Sequence, residues 1–91
     1  RLYWWREYWA DVPRVALPDP ALQRHWDYGL WKQAGLTPPR GVPATLQGAW
    51  MAETELPPWS NDYHFNINVQ MIHWPALPTN RADHLRPMWD L

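Results

Sequence analysis

The residues best equipped for chemistry lie between His64 and Gln70. His64, Asn66, Asn68 and Gln70 alternate with Phe65, Ile67, Val69 and Met71, so an extended backbone there sends the four polar side chains to one side. Carboxamides and a neutral imidazole each carry both donors and acceptors. Sugar hydroxyls, which donate and accept at once, are met by such a set. Trp50, Trp59 and Trp74 stand close by in the sequence and could offer flat apolar faces to a pyranose ring. A structural assignment competes with this one: the asparagines satisfy loop backbone and the tryptophans fill a core.

Other chemistries find less support. His64 and His73 are nine positions apart, which fits no helical metal-ligand spacing, and H-E-x-x-H is absent. With no Cys in the chain there is no thiolate zinc site and no disulfide framework. Neither a metal nor any other cofactor is implied. Glu53, Glu55 and Asp62 are carboxylates in a Pro-rich stretch, where solvated or turn-forming roles compete with the acid-base roles of glycoside hydrolysis. Ser60 is the single Ser and lacks the glycines of a nucleophile elbow.

These residues must be positioned by helices and a long loop. Leu2, Trp5 and Trp9, flanked by Tyr8, recur at helical spacing and predict a helix over 2–11, ended by Pro13. Asp19-Pro20 combines an N-cap residue with a first-turn proline. From there Leu22, Trp26 and Leu30, with Gln33 or Ala34, form an apolar stripe, and Gly35 is the expected stop, giving a helix over 20–34. Residues 36–64 hold five prolines and no sustained period, hence a loop. Its Gln47, Trp50, Trp59, Asn61, Asp62, Tyr63 and His64 are not linker filler, so the loop is expected to be functional. An extended segment over 64–67 leading to a helix over 68–76 is expected next. A final helix over 80–91 should turn Leu85, Met88 and Trp89 inward, with a kink at Pro87.

Composition sets the outer bounds. The 91 residues carry eight basic and nine acidic groups, net −1, without the clustered positive charge of a nucleic-acid or anionic-membrane surface. No apolar run approaches the roughly 18 residues of a membrane span, and no signal-peptide pattern is present. No compartment follows from these features. Nine Trp are more than a chain of this size can hide, since it buries only about 60–65% of its unfolded surface. Starting at Arg1 and stopping at Leu91 within an apolar stretch, it is expected to be an internal piece of a larger domain; the alternative is a small autonomous Trp-rich domain.

Several motifs in order resemble one family. Pro43-Ala44-Thr45-Leu46-Gln47-Gly48-Ala49-Trp50, Pro57-Pro58-Trp59-Ser60, Asp62-Tyr63-His64, Asn66-Ile67-Asn68, Gln70-Met71 and Trp74-Pro75-Ala76 resemble the catalytic domain of glycoside hydrolase family 95, which includes α-L-fucosidases and some enzymes acting on α-L-galactosides. Upstream, Trp5 and Trp9, Leu17-Pro18-Asp19 and Tyr28-Gly29-Leu30 look like the helices preceding that loop. The resemblance implies an all-α fold, here a fragment of an (α/α)6 barrel whose remainder lies outside this chain. It implies an oligosaccharide or glycoconjugate substrate and inverting hydrolysis, with Asn66 and Asn68 holding the attacking water. His64, Trp50, Trp59, Gln70 and Trp74 would bind substrate. The family's acid, a Glu, and its supporting Asp stand much later in the chain, so this segment alone is expected to be inactive. The chain departs from the family pattern at Met51, where Asn is usual. It departs again at Ile72-His73 and Leu77, where the family commonly has Asn-Tyr and Glu; both changes bear on sugar specificity. A non-catalytic carbohydrate-binding protein on the same scaffold is the alternative function.

Overall fold

Two helices and their capping chemistry organise the first 37 residues of the computed structural model, which describes residues 1–91. Helix α1 spans Leu2–Asp11 and α2 spans Pro20–Leu36. Asp19 starts α2: its Oδ1 accepts from the Ala21 N–H at 2.7 Å and the Leu22 N–H at 3.4 Å, satisfying donors that have no partner within the helix. Pro20 takes the position where no N–H is needed. The connector is held to α2 by the Leu17 N–H donating to Gln23 Oε1 at 2.8 Å.

Gly35 does not stop α2. The helix runs through it to Leu36, and Thr37 closes the last turn. The Thr37 N–H and its Oγ1 both donate to the Gln33 carbonyl, at 3.0 and 2.8 Å. Pro38 comes next and drives Thr37 out of the helical region, to φ −126° and ψ 47°. The two helices share a small core of Tyr8, Val12, Leu30 and Ala34, flanked by Trp5 and Trp9. Of the apolar stripe on α2, only its C-terminal half is buried; Leu22 is exposed. The buried Tyr8 hydroxyl donates to the Leu30 carbonyl at 3.1 Å, joining the helices by a polar bond inside an apolar contact.

Beyond the loop the chain winds into short helical turns. Residues 64–67 are not extended: a turn over 65–67 leads into α3, Asn68–His73, with the Val69 N–H bonded to the His64 carbonyl at 3.0 Å. The alternation of polar and apolar residues therefore does not report a strand. Pro75 has no N–H to continue α3, so the chain tightens to a 3₁₀ turn over Trp74–Ala76. In place of one helix over 80–91 there is a 3₁₀ turn, Ala82–Leu85, and a single α turn, α4, Arg86–Trp89. Asn80 at φ 57° breaks the helical path, and Pro87 sits in the first turn of α4, where a proline is tolerated. The residues this segment buries are His84 and Pro87; Leu85 and Met88 are half-buried and Trp89 is exposed.

The tail returns to α1. Asn80 Nδ2 donates to the Asp11 carbonyl at 3.3 Å, and Arg81 Nη2 pairs with Asp11 Oδ2 at 3.2 Å, placing a cation at the C-terminal end of α1 where the helix dipole favours it. The Arg81 guanidinium lies 5.2 Å over the Tyr8 ring. All the regular structure is helical. Only 13 of 91 residues are buried and the surface measures 6969 Å². A self-contained protein of 10.9 kDa would expose about 5,600 Å², so the chain carries a large excess of uncovered surface.

Candidate functional site

The loop is built around a left-handed turn. Trp59, Ser60 and Asn61 have φ of 58°, 55° and 54° in succession, a path that costs L-residues about 1–2 kcal/mol each, least for Asn. The turn is closed by the Ser60 N–H to the Pro57 carbonyl at 3.0 Å and the Asp62 N–H to the Trp59 carbonyl at 3.1 Å. It leaves the Trp59 indole 72% exposed and sets it 5.3 Å from the His64 ring, centroid to centroid.

The turn is tied to the earlier Leu46–Gly48 strip mainly by Asn61. Its Oδ1 accepts from the Gln47 N–H at 2.8 Å, and its Nδ2 donates to the Gly48 carbonyl at 3.2 Å while approaching Met51 Sδ at 2.9 Å. A backbone bond from the Leu46 N–H to the Asp62 carbonyl, 3.1 Å, runs alongside. Gly48 permits the strip to lie there: its φ is +64°, and a Cβ would collide with Leu36 Cδ2. The loop is thus seated on the end of α2.

His64 is half-buried, and its Nδ1 lies 3.3 and 3.4 Å from the two Asp62 carboxylate oxygens. An ionised carboxylate only accepts, so Nδ1–H is the donor and Nε2 keeps its lone pair in the neutral ring. Gln70 is occupied: its Nε2 donates to the Phe65 carbonyl at 2.6 Å, and its Oε1 is buried without a partner. It braces the turn before α3. Asn66 is exposed on that turn and Asn68, half-buried, is the first residue of α3. No side chain caps the helix, so Asn68 does not serve as its N-cap.

The three tryptophans part company. Trp59 stands with His64. Trp50 packs on α2, 6.2 Å from Trp31 with Lys32 Nζ 4.8 Å over its face. Trp74 faces a groove of about 490 Å³ shared with His25, Trp26 and Gln33 of α2. That groove and a second of about 460 Å³ between α1 and α2 are lined by none of His64, Asn66, Asn68 or Trp59, of which Asn66 and Trp59 are exposed and His64 and Asn68 half-buried. Glu53 and Glu55 are exposed. His73, 1% exposed, donates its Nδ1–H to the Val69 carbonyl at 2.8 Å and is structural.

In the sequence Asn61 stands only among the residues that mark the loop as functional, with no role of its own, and His84 has none. Asn within a W-S-N-D turn is a residue type that tolerates left-handed backbone, the one signal that pointed to it. His84 is 1% exposed. Thr37 Oγ1 spends its proton on Gln33, so it accepts from His84 Nδ1–H at 3.2 Å, leaving Nε2 buried and unpartnered.

Residues 10–91 match the glycosyl hydrolase family 95 catalytic domain. The chain belongs to glycosyl hydrolase family 95. Among similar proteins, the probable alpha-fucosidase A of Aspergillus niger is 41% identical over 64 residues, covering 70% of this chain and 8% of that protein. Alpha-L-fucosidase 2 of Arabidopsis thaliana is 36% identical over 73 residues, 79% of this chain and 8% of that protein. The probable alpha-fucosidase A of Aspergillus oryzae is 40% identical over 66 residues, 71% and 9% respectively. The chain therefore spans less than a tenth of the length of these relatives. No solved structure matches it. The all-helical architecture and the aromatic clusters agree with a piece of the all-α family 95 domain.

Proposed function

We propose that the protein containing this segment is an inverting glycoside hydrolase acting on α-L-fucosyl or a closely related α-linked sugar. The observation that carries the reading is the family 95 match over residues 10–91, with relatives named as fucosidases at 36–41% identity. The exposed Trp59 face beside His64 supports a sugar-binding role for the loop. Trp59 stacks on the apolar face of the ring. His64, with Nδ1 engaged by Asp62, accepts from a sugar hydroxyl through Nε2. Gln70 contributes through the turn it braces; Trp50 and Trp74, which stand apart from this pair on α2 and its groove, would meet more distant parts of the substrate.

Asn66 and Asn68 hold the water that attacks the anomeric carbon. An amide is too weak a base to remove a proton outright, so a carboxylate must polarise Asn68, and a protonated acid with a raised pKa must serve the leaving oxygen. Inversion requires the two functions on opposite faces of the sugar. Both carboxyl groups are assigned to the rest of an (α/α)6 barrel.

Asn68→Ala in the full-length polypeptide is expected to lower kcat by about 10²-fold, the scale of losing one positioned catalytic group. Product NMR on the wild type should show the anomer opposite to that of the substrate. Retained turnover in the variant refutes the asparagine role. Sugar binding without any product supports instead a carbohydrate-binding protein on the same scaffold.

A further inference from the structure

We infer that Asn61 is a positioning residue for sugar binding: its carboxamide clasps the Trp59–Asn61 turn to the Gln47–Gly48 strip and so aims the Trp59 face and His64. The inference rests on the functional reading above and deepens it. Three observations converge. The turn is a succession of left-handed residues that no glycine eases, so something outside it must hold that path in place. Asn61 uses both ends of its carboxamide across the gap, toward Gln47 N, Gly48 O and Met51 Sδ. The exposed indole of Trp59 and the half-buried imidazole of His64 flank this clasp at two residues before and three after. Because Gly48 itself rests on Leu36, the clasp transmits the position of α2 to the sugar-facing ring. Asn61 has its hydrogen-bonding groups turned into the protein, so its effect on a sugar is exerted through Trp59 and His64.

The test compares wild type with N61G in the full-length polypeptide, using p-nitrophenyl α-L-fucopyranoside as substrate. Glycine keeps the left-handed backbone available and removes only the carboxamide. KM should rise about tenfold, the scale of one or two lost hydrogen bonds, with kcat within about twofold. A passive structural role would lower the melting temperature and leave KM unmoved, and that result overturns the inference while leaving the hydrolase reading intact. Should N61G fail to fold, N61D, which keeps the acceptor for Gln47 N and loses both donors, is read in the same way. A wild type that leaves this fucoside uncleaved overturns the fucosyl-hydrolase reading instead. Calorimetric titration with L-fucose then decides for Asn61: affinity about tenfold weaker in N61G upholds its role, and equal affinity or no binding to either protein overturns it.

Discussion

His84 shows what one side chain can impose on its neighbours. Its ring lies 5.8 Å from Tyr8 and 6.3 Å from Trp4 on α1, and its Nδ1–H is committed to Thr37 at the end of α2. The groups facing it are Trp4 and Tyr8 from α1, Arg81 and Asp83 from its own segment, and Thr37 at the end of α2. Burial lowers its pKa below the usual imidazole value of 6.5, the nearby Asp83 raising it in partial opposition and Arg81 lowering it further. Burial likewise raises the Tyr8 phenol. The sign comes from linkage: the folded state binds the His84 proton less readily than the unfolded state does, so stability falls as pH drops below about 6.5. The melting temperature of the full-length polypeptide should fall between pH 7 and pH 5, and His84→Asn should flatten that dependence. An identical slope in the variant would show that His84 is not the responsible group. Nothing in the sequence marked this residue, because its burial depends on a packing between segments some 47 positions apart.

Elements were legible where their signals are local. The Asp19-Pro20 start of α2 could be read from two adjacent residues because capping is short-range. Gly35 misled for the opposite reason: a helix stop depends on the residues downstream of it, and Thr37-Pro38 supplied a better one two residues on. The alternation over 64–71 misled because a turn leading into a short helix can mimic a period of two over a short window: Phe65, Ile67 and Met71 are exposed here, while His64, Asn68 and Gln70 are half-buried. The candidate residues themselves were legible as types, while the pairing of Trp59 with His64 and the separation of Trp50 and Trp74 from it are tertiary facts. The contrast between two glycines makes the element-scale prediction. Gly48→Ala adds a clash with Leu36 to a positive φ and should destabilise the full-length polypeptide by roughly 2–4 kcal/mol. Gly29→Ala, inside α2 with open space around it, should stabilise by up to about 1 kcal/mol. Calorimetric melts that rank the two alike would contradict this account of how the loop seats on α2.

At the scale of the whole molecule the uncovered surface dominates. A radius of gyration of 14.2 Å exceeds the roughly 12 Å of a compact chain of this length, and Trp59, Trp74 and Trp89 are all more than half exposed. The isolated 91 residues are therefore expected to melt without a cooperative transition, since too little apolar area is withdrawn from water to offset the ordering of the chain. A sharp calorimetric peak from the isolated segment would instead favour an autonomous Trp-rich domain. The clamp of Asn80 and Arg81 on Asp11 has a consequence in time. Its partners stand 69 residues apart, so a ribosome adding about 5–20 residues per second delivers the second roughly 3–14 s after the first. For that interval the C-terminal end of α1 lacks this clamp, and once α2 is made the contact with it must hold α1 alone while the following loop is still being added.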